Sequence, residues 1–276
     1  MAKSIATSMI GWMPKVVEIE TLVRDIAALN LVQAQTSSSF QSQIDHHNFV
    51  RDHLVNLYQH TFDGVMDDFA RQAHLALRKH KLEDEGGLTA LFLILSDDFD
   101  ANFAHAMKQA GTKAYQFAEP AMGKSNWGEL KQRASDFADM RSEDLKNVPE
   151  EALGRVQASI LRGLAAKEPA TALQRRLDEG IAEAKEVEGG RMSETEATIT
   201  LGTAVDSVMK AAGFDEKRWL SQRDDRVRHS HEACDKQGWI PLGKSFSNGL
   251  RYPGDANGPI EELVNCRCVL IGRKKP

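Results

Sequence analysis

The chain has 276 residues, of which 41% are hydrophobic and 27% are charged, as in a soluble globular protein of one or two domains. No run of about 18 apolar residues is present, and the N-terminus lacks a convincing secretory signal, so we expect no membrane partner. Three cysteines are too few for a disulfide framework and indicate a reducing compartment.

The net charge of −5 is unevenly distributed. Residues 217–276 carry a net +5, because 12 Lys and Arg outnumber 7 Asp and Glu, whereas residues 1–216 carry −10. A basic segment on an acidic body indicates one of two partners: a nucleic acid or acidic protein outside the chain, or the acidic body of the chain itself. The sequence leaves both partners open.

Apolar residues recur at helical spacing through most of the first 213 residues. Gly86-Gly87 and Gly111 are predicted to end helices, Gly189-Gly190 to separate two helices, and Gly213 to close the last one. The predicted helices cover residues 16–36, 40–80, 88–110, 150–165, 169–187 and 193–212, with a weaker signal over 129–140.

The pattern changes after Gly213, where short β-type segments at Trp239-Ile240, Phe246 and 269–271 alternate with Gly, Pro, Asn and Asp. The predicted fold class is therefore α+β, with a mostly α-helical body and a small turn-rich C-terminal α+β module. We divide the chain into a helical N-terminal region, 1–148, and a second region, 149–276, that contains the module.

The three cysteines all lie in the module, close to a histidine. His231, Cys234, Cys266 and Cys268 together would make an acceptable tetrahedral zinc set. In one alternative, Cys266 and Cys268 pack on one face of a strand while His231 bonds to backbone. In another, Cys234 forms a disulfide with one member of the pair. The spacing alone does not choose between the three.

An enzyme is not predicted. His231 and Cys234 would share a face of a helix, as a base and a nucleophile could, but the sequence supplies neither an oxyanion hole nor an orienting acid in register with them. We therefore assign no catalytic residue.

The charged residues of the module predict an internal network. Asp225 and Arg228 are three residues apart and could pair across a helical turn. Arg228 and Arg267 could instead bind Asp255 or Glu196 through bidentate hydrogen bonds. If its segment is a strand, Arg267 projects opposite the flanking cysteines, toward solvent, DNA or a neighbouring protein.

The module contains an ordered series of residues: Trp219, Asp225, Arg228, His231, Gly238, Phe246, Pro253, Asp255, Asn265, Cys266 and Cys268. This order resembles the Mu F-like minor head morphogenesis proteins of tailed bacteriophages. Upstream, Glu196 lies in a segment similar to a helix start of that family, although Glu194 stands where Arg is usual.

The resemblance implies a structural virion protein, made in the host cytoplasm and located in the virion head. Such a protein would contact the portal protein, the major capsid protein or both, and would act in capsid assembly, DNA packaging or delivery. Residues 1–148 match nothing specific in the family. We expect them to dock on the portal or capsid, with residues 9–13 and 88–95 as candidate contacts.

The alternative is a DNA-binding virion protein that contacts, or is ejected with, packaged double-stranded DNA. No cofactor is expected apart from the zinc hypothesis. The residues that would touch DNA are Lys244, Arg251, Arg267, Arg273, Lys274 and Lys275.

Overall fold

The computed structural model describes residues 40–79, 85–122 and 127–275. The predicted helix at 16–36 and the candidate contact at 9–13 lie outside these residues. The predicted fold class is confirmed, because the described chain is mostly helical and carries a small antiparallel sheet near its C-terminus. Across the three described ranges, no helix has both the length and the apolar character of a membrane span.

Within the described ranges, six long helices form the body, and five short elements form the module. The helices of the body are α1 Phe40–Lys79, α2 Glu85–Met122, α3 Trp127–Asp144, α4 Val148–Ala165, α5 Ala170–Ala184 and α6 Gly190–Ala211, and a π-helical turn, Lys185–Gly189, joins α5 to α6. The elements of the module are β1 Glu216–Leu220, α7 His229–Lys236, β2 Trp239–Pro241, α8 Ile260–Leu263 and β3 Val269–Arg273.

At two of the predicted helix ends the prediction is wrong because the glycine serves close packing. Gly111 lies inside α2, and a Cβ atom on it would be 3.5 Å from the Cβ of Ala138 on α3. A Cβ atom on Gly189 would be 2.7 Å from the ring of Phe62 on α1. The chain does not break at Gly189-Gly190 but continues through the π-helical turn into α6.

Of the other glycines predicted to end helices, Gly213 does so and Gly86-Gly87 does not. Gly213 closes α6 as predicted: its φ is +65°, and the N–H groups of Gly213 and Phe214 donate to the carbonyls of Lys210 and Met209 at 3.2 and 3.0 Å. Gly86-Gly87, predicted to end a helix, lies instead in the first turn of α2.

Helix α6 is the central element of the body. Most of its side chains are buried, including polar ones. The hydroxyl groups of Tyr58 on α1 and Thr200 on α6 are hydrogen-bonded at 2.9 Å. Arg141 on α3 donates to both carboxylate oxygens of Glu196 on α6, at 2.9 and 2.6 Å, and both side chains are buried. Polar contacts thus fix two helices against α6.

The sheet has the strand order β2-β1-β3, and both pairings are antiparallel, with Trp219 opposite Leu270. The central strand β1 was not predicted, because Lys217 occupies a buried position within it. The Lys217 ammonium group donates to the carbonyl of Arg251 at 2.6 Å, and burial lowers its pKa to about 8. Ile44 of α1 packs against Val269 and neighbouring sheet residues.

One hydrophobic cluster runs through the body and the module. Its members include Val50 of α1, Leu153 of α4, Ile199 of α6 and Leu270 of β3. Helix α4 begins at Val148, beside the boundary drawn between 148 and 149, and that division remains a prediction.

Candidate metal centre

Two parts of the module bring the candidate ligands together. His231 lies in the first turn of α7, whereas Cys266 and Cys268 lie in the loop between α8 and β3. His231 Nδ1 is 3.7 Å from Cys266 Sγ and 3.4 Å from Cys268 Sγ. The potential ligand atoms of the three residues lie within 4.8 Å of one another, so the cluster could hold a metal ion.

The loop that carries both cysteines is fixed to α6. Asn265 has a φ of +55°, in the left-handed region that Asn tolerates better than most residues. Its N–H donates to Thr195 Oγ1 at 3.2 Å, and the hydroxyl group of Thr198 donates to the carbonyl of Cys266. The Asn of the motif therefore makes the bend that turns the first sulfur inward.

A carboxylate fixes the orientation of the imidazole. His231 Nε2 is 2.8 Å from a Glu262 oxygen, which also accepts hydrogen bonds from Ser230 at 3.0 Å and Asn248 at 3.2 Å. Burial raises the pKa of Glu262, but these hydrogen bonds and the nearby imidazole outweigh it and lower the pKa. An ionised carboxylate only accepts hydrogen bonds, so Nε2 carries a proton. Burial lowers the pKa of His231, but its contacts with Cys266 and Glu262 outweigh burial and raise the pKa. Nδ1 faces the two sulfurs and could bind a metal ion in exchange for its proton.

The contact between the two thiols moves their pKa values in opposite directions. Hydrogen bonds from Cys268 and His231 lower the pKa of Cys266 well below its usual value, against the effect of burial. The pKa of Cys268 is raised well above its usual value by its contact with Cys266 and by burial. A cation between the sulfurs would stabilise both thiolates.

An aromatic pair covers the cluster. The Trp219 ring is fully buried, with its centroid 4.9 Å from that of His231 and 5.2 Å from that of Phe246. The Trp219 indole N–H has no oxygen or nitrogen acceptor among the described residues, and it favours the thiolate form of Cys268. Trp219, backed by Phe246, thus packs over one side of the cluster.

Cys234, the fourth residue of the predicted set, does not join the cluster. Its sulfur contacts the Ser247 hydroxyl group at 3.5 Å, and all three cysteines are free thiols. Cys266 and Cys268 precede β3 and therefore do not share a strand face. The side-chain partner of His231 is a carboxylate rather than the backbone predicted by the packed alternative.

The arginines have partners other than the predicted ones. Arg267 was predicted to project outward, but its side chain is only 17% exposed. It forms an ion pair with Asp224 at 2.8 Å. The guanidinium group of Arg228 donates to the carbonyl of Val264. Asp225 is exposed and precedes α7, so it is not one helical turn from Arg228.

Asp255 and Glu196 are both bound, but by arginines that the sequence did not suggest. Asp255 accepts two hydrogen bonds from the guanidinium group of Arg251, at 2.9 and 3.1 Å. Glu196 accepts two from Arg141 of α3. The predicted internal network therefore forms with different donors.

The remaining motif residues shape turns. Gly238 follows α7 with a φ of +69°, as a helix-closing glycine does. Gly254 has a φ of +77° and lies against α6. A Cβ atom added to Gly254 would be 2.6 Å from the carbonyl oxygen of Thr198. The carbonyl of Pro253 lies over Gly202 of α6. These residues bring the module into contact with the body.

Glu262 was not predicted. It lies 31 residues after His231 in a helix of four residues, and no linear spacing connects the two. The sequence does place Glu262 in the first turn of a helix after Pro259. That position predicts the start of a helix, but it does not predict contact with His231.

The arrangement of Cys266, His231 and Glu262 has the order of a nucleophile, a base and an orienting acid. The residues Cys266 and His231, however, are each only 1% exposed, so a substrate cannot reach them. Comparison with known proteins adds no family to this picture: no family model, no curated protein and no solved structure matches the chain.

Proposed function

We propose that the chain is a structural minor head protein of a tailed bacteriophage, located in the virion head and associated with the portal or major capsid protein. One observation carries the proposal: key residues of the Mu F-like motif, distant in sequence, contact one another in a single packed module. Trp219 contacts His231 and Phe246, and His231 contacts Cys266 and Cys268. A chance match of scattered residues would not be expected to form one core.

The way these residues are used supports a structural role. Asn265, Gly238 and Gly254 occupy left-handed backbone conformations, and Asp255 accepts hydrogen bonds within its own turn. Such residues hold backbone and leave no reactive group open to a substrate. We therefore propose a protein without enzymatic activity that acts in head assembly, DNA packaging or delivery.

The test is binding of the full chain to the portal and major capsid proteins of the phage that encodes it. We expect the full chain to co-purify with at least one of these two proteins and to remain bound during washing. It should not co-purify with the portal protein of an unrelated phage. Absence of binding to both cognate proteins would contradict the proposal.

Direct DNA contact is the alternative, and the ion pairs of the module weigh against it. Arg251, Arg267 and Arg273 pair with Asp255, Asp224 and Glu216, and Lys275 lies 3.7 Å from Glu216. A salt-titrated DNA-binding assay on the full chain separates the two functions. A steep loss of affinity with rising salt would favour DNA contact, because phosphate contacts release counterions.

We infer further that zinc is the metal suited to the cluster. Two thiolates and one imidazole are soft or borderline donors, which zinc accepts in tetrahedral sites. Calcium and magnesium prefer oxygen donors, and the one carboxylate in contact with the cluster is bound to the far nitrogen of His231.

A further inference from the structure

We propose that His231 Nδ1, Cys266 Sγ and Cys268 Sγ are the three protein ligands of a zinc ion that clasps α7 to the loop before β3. The proposal rests on the choice of zinc made above. It replaces the four-residue set by a set of three and gives the metal a structural role.

The distances between the ligand atoms already match coordination. A tetrahedral site with Zn–S bonds of about 2.3 Å and a Zn–N bond of about 2.0 Å holds nitrogen and sulfur about 3.5 Å apart. His231 Nδ1 lies 3.7 Å from one sulfur and 3.4 Å from the other. Both nitrogen–sulfur distances therefore already suit a shared metal ion, and the ligand atoms of all three residues lie within 4.8 Å of one another.

The hydrogen-bond partners around the cluster suit a metal-bound imidazole. Metal-ligating histidines usually donate their other ring N–H to a carboxylate or carbonyl group, which fixes the tautomer. Glu262 occupies this position on Nε2, and Ser230 and Asn248 hold its carboxylate in turn. Glu262 is thus a positioning residue.

The fourth coordination position is left to water or another small ligand. Cys234 contacts Ser247, and the described residues contribute only three members to the cluster. The burial of His231 and Cys266 keeps substrates away, so the centre is structural.

The elements of the module are short, so a bound metal would add to its stability. Its strands have five, three and five residues, α7 has eight and α8 has four. Elements of this length are not stable alone. A metal bound only by the folded module adds its binding free energy to folding.

The experiment uses the full chain, purified under reducing conditions, stripped with a chelator and titrated with Co²⁺ and then Zn²⁺. We expect one equivalent of metal, tetrahedral Co²⁺ bands and a near-ultraviolet band from two thiolates, all abolished by zinc displacement. Cys268→Ser should lose about half of the thiolate band and bind metal far more weakly. Glu262→Gln should keep the spectrum but weaken affinity by about 10–100-fold.

Cys234→Ser is the matched control, and it should keep the stoichiometry, spectrum and affinity of the parent. If Cys268→Ser does not fold, the band intensity of the unmodified chain still decides between two thiolates and three. Metal below about a tenth of an equivalent would overturn both zinc and the ligand set. Full binding that Cys234→Ser abolishes would overturn the ligand set alone. Neither result bears on portal binding, which is measured separately.

Discussion

Asp255 shows how one side chain can hold a turn. Its carboxylate accepts hydrogen bonds from the N–H of Arg251 at 3.1 Å and of Asn257 at 3.3 Å, and from both of their side chains. Its side chain is only 5% exposed. Burial raises the pKa of Asp255, but these hydrogen bonds outweigh burial and lower the pKa to about 2.

Replacing this carboxylate should cost stability in a pH-dependent way. We expect Asp255→Asn to lower the free energy of unfolding by about 2 kcal/mol at neutral pH, because buried charge-assisted hydrogen bonds are lost. The folded-state pKa lies below the usual 3.8, so the stabilisation is complete above that pH and disappears as pH falls through about 2. Urea unfolding followed by circular dichroism should show the two proteins converging toward low pH.

Asp225→Asn is the matched control, because Asp225 belongs to the same motif but is exposed. Its effect should stay within about 0.5 kcal/mol at every pH. Equal losses in the two variants would show that burial and hydrogen bonding do not set the importance of these residues.

Among the helices, α6 meets the module at its closest point through a glycine. A Cβ atom on Gly202 would lie 2.0 Å from the carbonyl oxygen of Pro253 and 3.1 Å from the ring of Tyr252. A backbone carbonyl in a tight turn cannot move aside as a flexible side chain can. The contact therefore allows only glycine at this position of the helix.

We predict that Gly202→Ala destabilises the protein by about 2–3 kcal/mol, although alanine is the better helix former. The displaced turn also carries Asp255, so its hydrogen bonds should weaken as well. Thermal unfolding followed by circular dichroism measures the loss.

Gly190→Ala in the same helix provides the comparison, because a Cβ atom there would meet nothing within 4 Å. It should be neutral or stabilising by up to about 1 kcal/mol. A stabilising Gly202→Ala variant would mean that the turn does not press on α6.

Helices whose signals depend only on neighbouring residues could be predicted from the sequence, whereas glycines that pack against distant elements could not be interpreted. The 150–165 prediction agrees closely with α4, because an amphipathic period and a proline at its start depend only on local residues. The breaks at Gly111 and Gly189 were wrong, because glycine also serves where two elements touch. Nothing local shows that Gly189 faces Phe62 of a helix more than a hundred residues earlier.

In the candidate site, too, some residues could be predicted from the sequence and others could not. His231, Cys266 and Cys268 were predicted because donor chemistry is visible in residue types. Cys234 was included because a spacing of three places it near His231 on one helix, but its sulfur contacts Ser247 instead. Glu262 was missed because its role depends on how α8 packs beside α7, which the sequence does not state.

For the molecule as a whole, ion pairs within the module engage several of its cations. Arg251, Arg267 and Arg273 are paired with acids of residues 216–255 and not with the helical body. Such pairs leave the net charge of residues 217–276 at +5, so that net charge alone does not identify a partner.

Body and module also share one core, and α6 belongs to both. Tyr58 of α1 bonds to Thr200 of α6, and the turn at Pro253 lies against the same helix at Gly202. Ile44 near the start of α1 packs against Val269 of β3. Removing either part would expose apolar surface of the other, which favours a single cooperative unit.

We therefore predict that the metal-free chain unfolds in one transition in urea. All three cysteines lie in the module, so thiol labelling reports its opening, whereas far-ultraviolet circular dichroism reports mainly the helices of the body. Because both parts bury surface against α6, the two probes should give the same midpoint and the same dependence on urea. Thiol exposure at clearly lower urea, with helicity retained, would instead support two units and a boundary near residue 148.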